Sequence, residues 1–343
     1  MGNIIIREKK GIFFTFIAIT IIAVFIVVFK PSSDIALKKD TQAIKTRIIS
    51  VDNYVSDLEA RYLETVLRSA SYKTILSLIY YMNVTNSYIS NFDATFSEVI
   101  LNGSILKPGE DHMPIDTITG KKIMDNNTIT NWTTRIVEAA KDTLNVETNI
   151  SIHNVSINQL TPWDIEAKLI FNISVKSEVA EWNKSTSITT TFSLEEFPDP
   201  YYLVNTDPSY TNNIKRSSVT FDEWNLTYVR EHLRNGTYVY WQNPNAPSFL
   251  MRFTNTITSS PCCGIESLVN PNMITPSDQI ESYVDYILFD PINNIPCTEL
   301  YNITKPPTNL GLWDEFPYFK LDIDHVTKYN ITGEYAIKTL ETC

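Results

Sequence analysis

The sequence predicts an α+β protein with an N-terminal transmembrane helix, a long amphipathic helical stalk and an antiparallel β-meander in the domain beyond. Three observations carry this reading. An uncharged apolar run fills residues 11–29, apolar residues from Ile44 to Tyr62 recur at helical spacing, and three segments between 149 and 194 alternate apolar with polar residues. At 43% hydrophobic and 20% charged residues, the remainder has the make-up of a globular chain with a core.

The run 11–29 is almost all Ile, Phe, Val and Ala. At 1.5 Å per residue it reaches about 28 Å, close to the thickness of a bilayer's hydrocarbon layer. It is therefore expected to contact lipid, with residues 1–10 as a cytoplasmic N-terminus. Arg7, Lys9 and Lys10 precede the run, and Lys30, Lys38 and Lys39 follow it, so local charge orients it weakly. The rest of the chain orients it better. Of 28 Lys and Arg and 39 Asp and Glu, four and one fall in the first thirty residues, which leaves a net charge of −14 beyond them. Such a surface repels nucleic acid and anionic lipid heads.

Twelve Asn-x-Ser/Thr sequons lie on the far side of the run, where about six would arise by chance. They start at Asn83, Asn102, Asn126, Asn131, Asn149, Asn154, Asn172, Asn183, Asn225, Asn235, Asn302 and Asn330. Their excess predicts a glycosylated extracellular portion on a single-pass protein of the cell membrane. All four cysteines, Cys262, Cys263, Cys297 and Cys343, fall in the last quarter of the chain. An even count outside the membrane suggests two disulfides. A zinc site built from four thiolates is the alternative, but no C-x-x-C pair seeds it. A bond between the neighbours Cys262 and Cys263 would be redox-active. The favoured arrangement instead sends the two thiols separately to Cys297 and Cys343, which clamps the C-terminal segment.

Residues 34–102 contain no Gly or Pro and read as the helical stalk. Ile44, Ile48, Val51, Val55, Leu58 and Tyr62 form a heptad stripe that suits either a second copy of the chain or packing within the monomer. Beyond Leu63 the apolar face widens, as for a helix sunk into a domain. Residues 103–210 are expected to hold a helix over 128–145, with Trp132, Ile136, Ala140 and Leu144 on one face, and then the meander. In 163–175 the residues Trp163, Ile165, Ala167, Leu169, Phe171, Ile173 and Val175 point one way, with Asn172 on the opposite phase. In 149–157 the phase slips between Ile152 and Val155, which marks a bulge. In 186–194 Ile188, Thr190, Phe192 and Leu194 face inward. Residues 211–343 form a C-terminal α+β segment. There Thr220–Glu223 reads as a capping box for a helix ending near Asn235, 237–241 as a strand, and 281–289 as strand or helix.

Chemistry is sparse. The nine glycines are too far apart for dinucleotide or P-loop motifs, and the four histidines are too scattered for a zinc helix. Ser104 and Lys107 match S-x-x-K without its companion motifs. Asp322, Asp324 and His325 could converge on a cation, but such clusters are more often a solvated edge or a helix cap. Glu195 and Glu196 suggest a surface hydrolase, yet adjacent carboxylates on a strand point to opposite faces. No catalytic residue, cofactor or metal site is expected.

Lys9-Lys10-Gly11 followed by IFFTFIAITIIAVF resembles the class III signal peptide of archaeal type IV pilin-like proteins, with Pro31 about twenty residues on. The resemblance implies peptidase cleavage after Gly11, a helix retained as an anchor or in a filament core, and a pilin-like layout of long helix and meander. Phe16 stands where that family usually carries Glu. FPDPYYLVNT, APSFLMRF, PCCGIESLVN and ESYVDYILF are similar to a group of archaeal envelope proteins that implies no activity. The resulting expectation is a membrane-anchored extracellular structural or interaction protein with no catalytic activity. Its alternatives are a minor pilin subunit and a surface hydrolase.

Overall fold

The computed structural model describes residues 18–22, 25, 41–106, 112–178, 180–206, 210–242, 245–274, 282–290, 299–303, 315–316, 319–331, 333 and 335–338. It is mixed α and β with antiparallel sheets. Most of the run 11–29, including Gly11, lies outside the described residues. Those that are described, 18–22 and 25, are helical, and Ile19, Ile21 and Ile22 are exposed. Among the described residues no helix is long and apolar enough to cross a membrane.

Two compact units form. One gathers residues 1–67, 129–155 and 169–188; the other gathers 68–128, 156–168 and 189–343. Both units are made of interleaved segments, because contacts and not chain order define them.

Helix α1, Thr41–Asp57, lies in the first unit and runs through one π-helical turn, Leu58–Tyr62, into α2, Leu63–Thr85, whose residues from 68 onward belong to the second unit. The extra residue in that turn shifts the helical phase where the apolar stripe changes width. Val51 and Leu58 are fully buried within the monomer, whereas Ile44, Ile48 and Tyr62 remain about a third exposed. The middle of the heptad stripe is thus core, in keeping with packing within the monomer. Tyr54 meets Thr148 through their hydroxyls at 3.5 Å, and Lys184 pairs with Glu59 at 2.6 Å. Arg47 donates to the Leu144 carbonyl at the end of α5, Ile129–Leu144. Of the expected face of that helix, Ala140 and Leu144 are buried and Trp132 and Ile136 are half-buried, and Ile129 is buried as well.

The single stalk expected over 34–102 is broken. Asn86 adopts φ +47°, and Asn91 caps a separate helix α3, Phe92–Asn102, by accepting from the Ala94 N–H at 3.1 Å. Asparagine tolerates the left-handed conformation and caps helices, so the chain breaks here without Gly or Pro. Gly103, at φ +69°, ends α3 and leads into the hairpin β1, Ser104–Leu106, with β2, His112–Pro114. A short helix, α4, follows at Ile115–Thr119.

The meander is present in the expected order. Strands β3, Glu147–Gln159, β4, Asp164–Lys176, and β5, Glu181–Ser193, are neighbours in sequence and in the sheet. On β4 the side chains of Ile165, Ala167, Leu169, Phe171, Ile173 and Val175 are all buried, and Asn172 is exposed. Each large apolar side chain in that row contributes roughly 1.5–3 kcal/mol by leaving water.

From Phe197 onward the elements are short. Asp199 caps α6, Pro200–Asn205, by accepting from the Tyr201 N–H at 2.9 Å. The Thr220–Glu223 capping box is present but closes only a 3-10 turn, Phe221–Glu223. Helix α7, Leu226–Asn235, starts later on its own cap, Asn225, and ends at Gly236, φ +55°. The strand expected over 237–241 is reduced to isolated bridges, Tyr238 with Arg216 and Val239 with Glu266. Residues 281–289 divide between a bridge at Val284 and a helix, α8, Asp285–Leu288. A last antiparallel sheet has β6, Leu300–Ile303, between β7, Lys320–Asp322, and β8, Ala336–Lys338. Helix α9, Ile323–Lys328, follows β7.

Candidate functional site

The densest chemistry in the second unit is a buried network of charged and aromatic side chains that the sequence reading did not single out. Arg252 is fully buried. Its Nη1 donates to Asp199 at 2.6 Å and to Asp285 at 2.7 Å, and its Nη2 donates to the Ile265 carbonyl. The rings of Tyr201 and Tyr238 lie 4.8 and 5.7 Å from the guanidinium. Tyr238 donates its hydroxyl to Asp199 at 2.8 Å and accepts from Asn212 at 3.0 Å. Asp285 also accepts the Ser267 amide at 3.0 Å and its hydroxyl at 2.8 Å, so the Tyr202 hydroxyl donates to Ser267 at 3.0 Å. Burial pushes the Asp285 carboxyl up to about 6 against the downward pull of Arg252.

One residue along the chain from Ser267, Glu266 anchors a second cluster. It accepts from Trp241 Nε1, from the Tyr329 hydroxyl at 3.0 Å and from His325 Nε2 at 3.2 Å, with Lys328 at 3.8 Å. His325 Nδ1 donates to Asp322 at 2.7 Å. Asp322 also accepts the Ser282 hydroxyl at 2.6 Å and caps α9 through the His325 N–H at 3.1 Å. With a carboxylate on each ring nitrogen, both nitrogens donate and His325 is an imidazolium. Burial alone would lower its pKa, but Glu266 and Asp322 raise it to about 9. The same contacts overcome burial at Glu266 and Asp322 and hold each at about 2. His232, buried beside Trp224, is pushed down to about 4 by burial.

Ser282 and His325 both bond to Asp322, and these side chains are removed from solvent. The LDIDH carboxylates serve as the helix cap, not a cation site. Asp322 is committed to His325 and the α9 amide, and Asp324 is exposed. Among the described residues no cluster could hold a metal ion. Glu195 and Glu196 are exposed in a turn, Glu196 at φ +76°. Ser104 donates to Glu98 at 2.5 Å, and Lys107 lies outside the described residues.

The cysteine clamp is corrected. Cys262 and Cys263 are bonded to each other, with Cα atoms 3.7 Å apart. Cys297 and Cys343 lie outside the described residues. Adjacent cysteines are joined without bringing distant chain together, although their Cα atoms lie closer than in most disulfides. Cys263 is buried and Cys262 exposed, beside the Gln159 carbonyl. Near this loop an open cleft of about 470 Å³ is lined by Asn91, Asp93, Asn158, Gln159, Leu250 and Thr256 among others, and by none of the buried charges. The Gln159 amide is already bonded to Leu250 N–H, Pro162 O and Cys263 O.

One signal in the sequence could have located the network. Each of its key charges stands in a stretch made mostly of apolar or aromatic residues: Asp199 in FPDPYYLVNT, Arg252 in APSFLMRF, Glu266 in PCCGIESLVN and Asp285 in ESYVDYILF. These are the four stretches noted above for their resemblance to envelope proteins. All twelve sequon asparagines are described, ten exposed and two, Asn131 and Asn302, half-buried. Comparison of the chain with protein-family models, curated proteins and solved structures found no match to any of them.

Proposed function

We propose that this is a membrane-anchored protein of the cell envelope whose extracellular α+β portion has a structural or interaction role and no catalytic one. The observation that carries the reading is the placement of the sequons. None of the twelve asparagines is buried, whereas the one buried asparagine among the described residues, Asn212, belongs to no sequon. Two further features agree. Ile19, Ile21 and Ile22 expose apolar surface on a helix within the apolar run, as lipid contact requires. Arg252 is bonded to Asp199 and Asp285, and His325 to Glu266 and Asp322, all of them buried.

The test is protease added to intact cells, which should degrade the chain beyond about residue 35 and leave the anchor. Full protection until lysis would sink the outward orientation. A second reading, a minor pilin subunit, is favoured by the order of an N-terminal helix and a three-strand antiparallel meander. The mass of the mature N-terminus separates the two: a chain beginning at Ile12 supports pilin-type processing, and an intact Met1 supports a plain signal anchor.

A further inference from the structure

The placement of four sequons points to a glycan-covered face on the three-stranded sheet, and we infer that Asn149, Asn154, Asn172 and Asn183 carry N-linked oligosaccharide as one set. The inference rests on the outward orientation proposed above and goes beyond it by naming the surface that is covered.

All four asparagines are exposed and lie in the first unit. On β4 the buried residues are odd-numbered from Ile165 to Val175, so Asn172 stands on the outer face. On β5 Thr190 and Phe192 are buried, with Thr186 and Ile188 half-buried on the same phase, so Asn183 also faces out. The pairing of the two strands follows from bonds at both ends of the hairpin. Ser177 N–H donates to Ala180 O at 2.9 Å, and Leu194 N–H donates to Trp163 O at 2.9 Å. Both bonds give one register, with Asn172 opposite Ser185 and Asn183 opposite Ser174. Each asparagine therefore faces the hydroxyl residue of the other's sequon, and the two lie diagonally about 7–8 Å apart.

On β3 Asn149 and Asn154 are five residues apart, and a regular strand would send them to opposite faces. The covered side chains run Thr148, Ile150, Ile152 and then Val155, Ile157. That change of phase at His153–Asn154 returns Asn154 to the outer face beside Asn149. The bulge thus lets one strand present two sequons on one side.

The surroundings suit attached sugar better than a protein partner. Ser151, Ser185, Ser187, Thr189 and Thr191 are exposed on the two outer strands, and no apolar row competes for a docking partner. Among the described residues both outer strands, thirteen residues each, stand at the edges of this sheet. Such edges invite pairing with another chain unless something bulky stands beside them.

The modification needs a lipid-phosphate-linked oligosaccharide as co-reactant. The sugar C1–O bond to phosphate breaks, a C1–Nδ2 bond forms, the amide nitrogen gives up one proton, and the lipid phosphate leaves with the electron pair. Asn183 now donates Nδ2–H to Glu181 at 2.8 Å, and one N–H remains for that bond after substitution.

The test is glycopeptide mass spectrometry on the full chain purified from membranes of the cells that make it. The comparison is a variant carrying Ser151→Ala, Ser156→Ala, Ser174→Ala and Ser185→Ala, which removes the four acceptors and keeps every asparagine. Sugar on three or four of these sites, lost in the variant while other glycopeptides persist, is the expected result. Sugar on two or fewer of the four, with Asn83, Asn126 or Asn235 modified, overturns this inference and leaves the outward orientation standing. Sugar on none of the twelve asparagines overturns both.

Discussion

Between Glu147 and Ser193 the backbone satisfies itself, while between Phe197 and Ile331 side chains do much of that work. In the meander, ladder bonds join neighbouring strands and one row of apolar side chains forms the buried face. In the later region isolated bridges and helices of a few residues leave many backbone groups without a ladder. Buried polar side chains take them up: Arg252 holds the Ile265 carbonyl, Asp285 the Ser267 amide, Asp322 the His325 amide and Asp199 the Tyr201 amide. A buried backbone group without a partner costs about as much as a lost hydrogen bond, so irregular chain needs such side chains inside. The contrast teaches that the charges at Arg252 and His325 are structural consequences of a chain with little regular structure.

The sharpest way to break this contrast is Arg252→Met. It leaves Asp199 and Asp285 buried without their cation and should cost about 3–5 kcal/mol. Chemical denaturation of the full-length protein in detergent, followed by tryptophan fluorescence, reads it. A loss under about 1 kcal/mol would show that the network does not hold the region. Replacing the whole set, with Asp199→Asn and Asp285→Asn added, should recover much of that loss, since no charge is then stranded.

A pH scan comes next. His325 is raised from 6.5 to about 9 in the folded state, so its stabilisation is complete below 6.5 and is lost as pH rises through 9. Stability should fall across that window by something on the order of 3 kcal/mol, and His325→Gln should flatten the curve. A flat wild-type curve would remove the imidazolium assignment. The acid side is less clean. His232, lowered to about 4, loses stability as pH falls below 6.5, whereas Asp285, raised to about 6, gains it.

Single side chains should separate the two regions more gently. Asn270→Ala removes the acceptor of the Asn272 N–H, 2.9 Å away, and should cost about 1 kcal/mol. Ser187→Ala, on the outer face of β5, should stay within about 0.5 kcal/mol. Equal effects in the same denaturation assay would erase the distinction between stitched and laddered backbone.

A small effect is expected at the disulfide as well. A bond between neighbours closes almost no loop, so on the chain-entropy model Cys262→Ser with Cys263→Ser should cost about 1 kcal/mol or less. A clamp to Cys297 or Cys343 would close loops of about 35–80 residues and cost roughly 3–4.5 kcal/mol. Non-reducing peptide mapping that joined Cys262 to either distant cysteine would restore the clamp.

The sequence by itself determined whatever depends on neighbours along the chain. Period-two alternation set which side of β4 is buried, down to Asn172 facing out, and the phase slip in β3 lies where it was read. The helix over 129–144 and the Thr220–Glu223 capping box were legible for the same reason, since caps and amphipathic faces are local. Tertiary structure decided the rest. It turned the centre of the heptad stripe into core, broke the stalk at Asn86, and paired Cys262 with Cys263. It also brought Asp199, Arg252 and Asp285 within one hydrogen bond of each other although 86 positions separate the first from the last. A buried charge is tolerable only beside its partner, and that partner is chosen by the folded chain, across distances that no local pattern encodes.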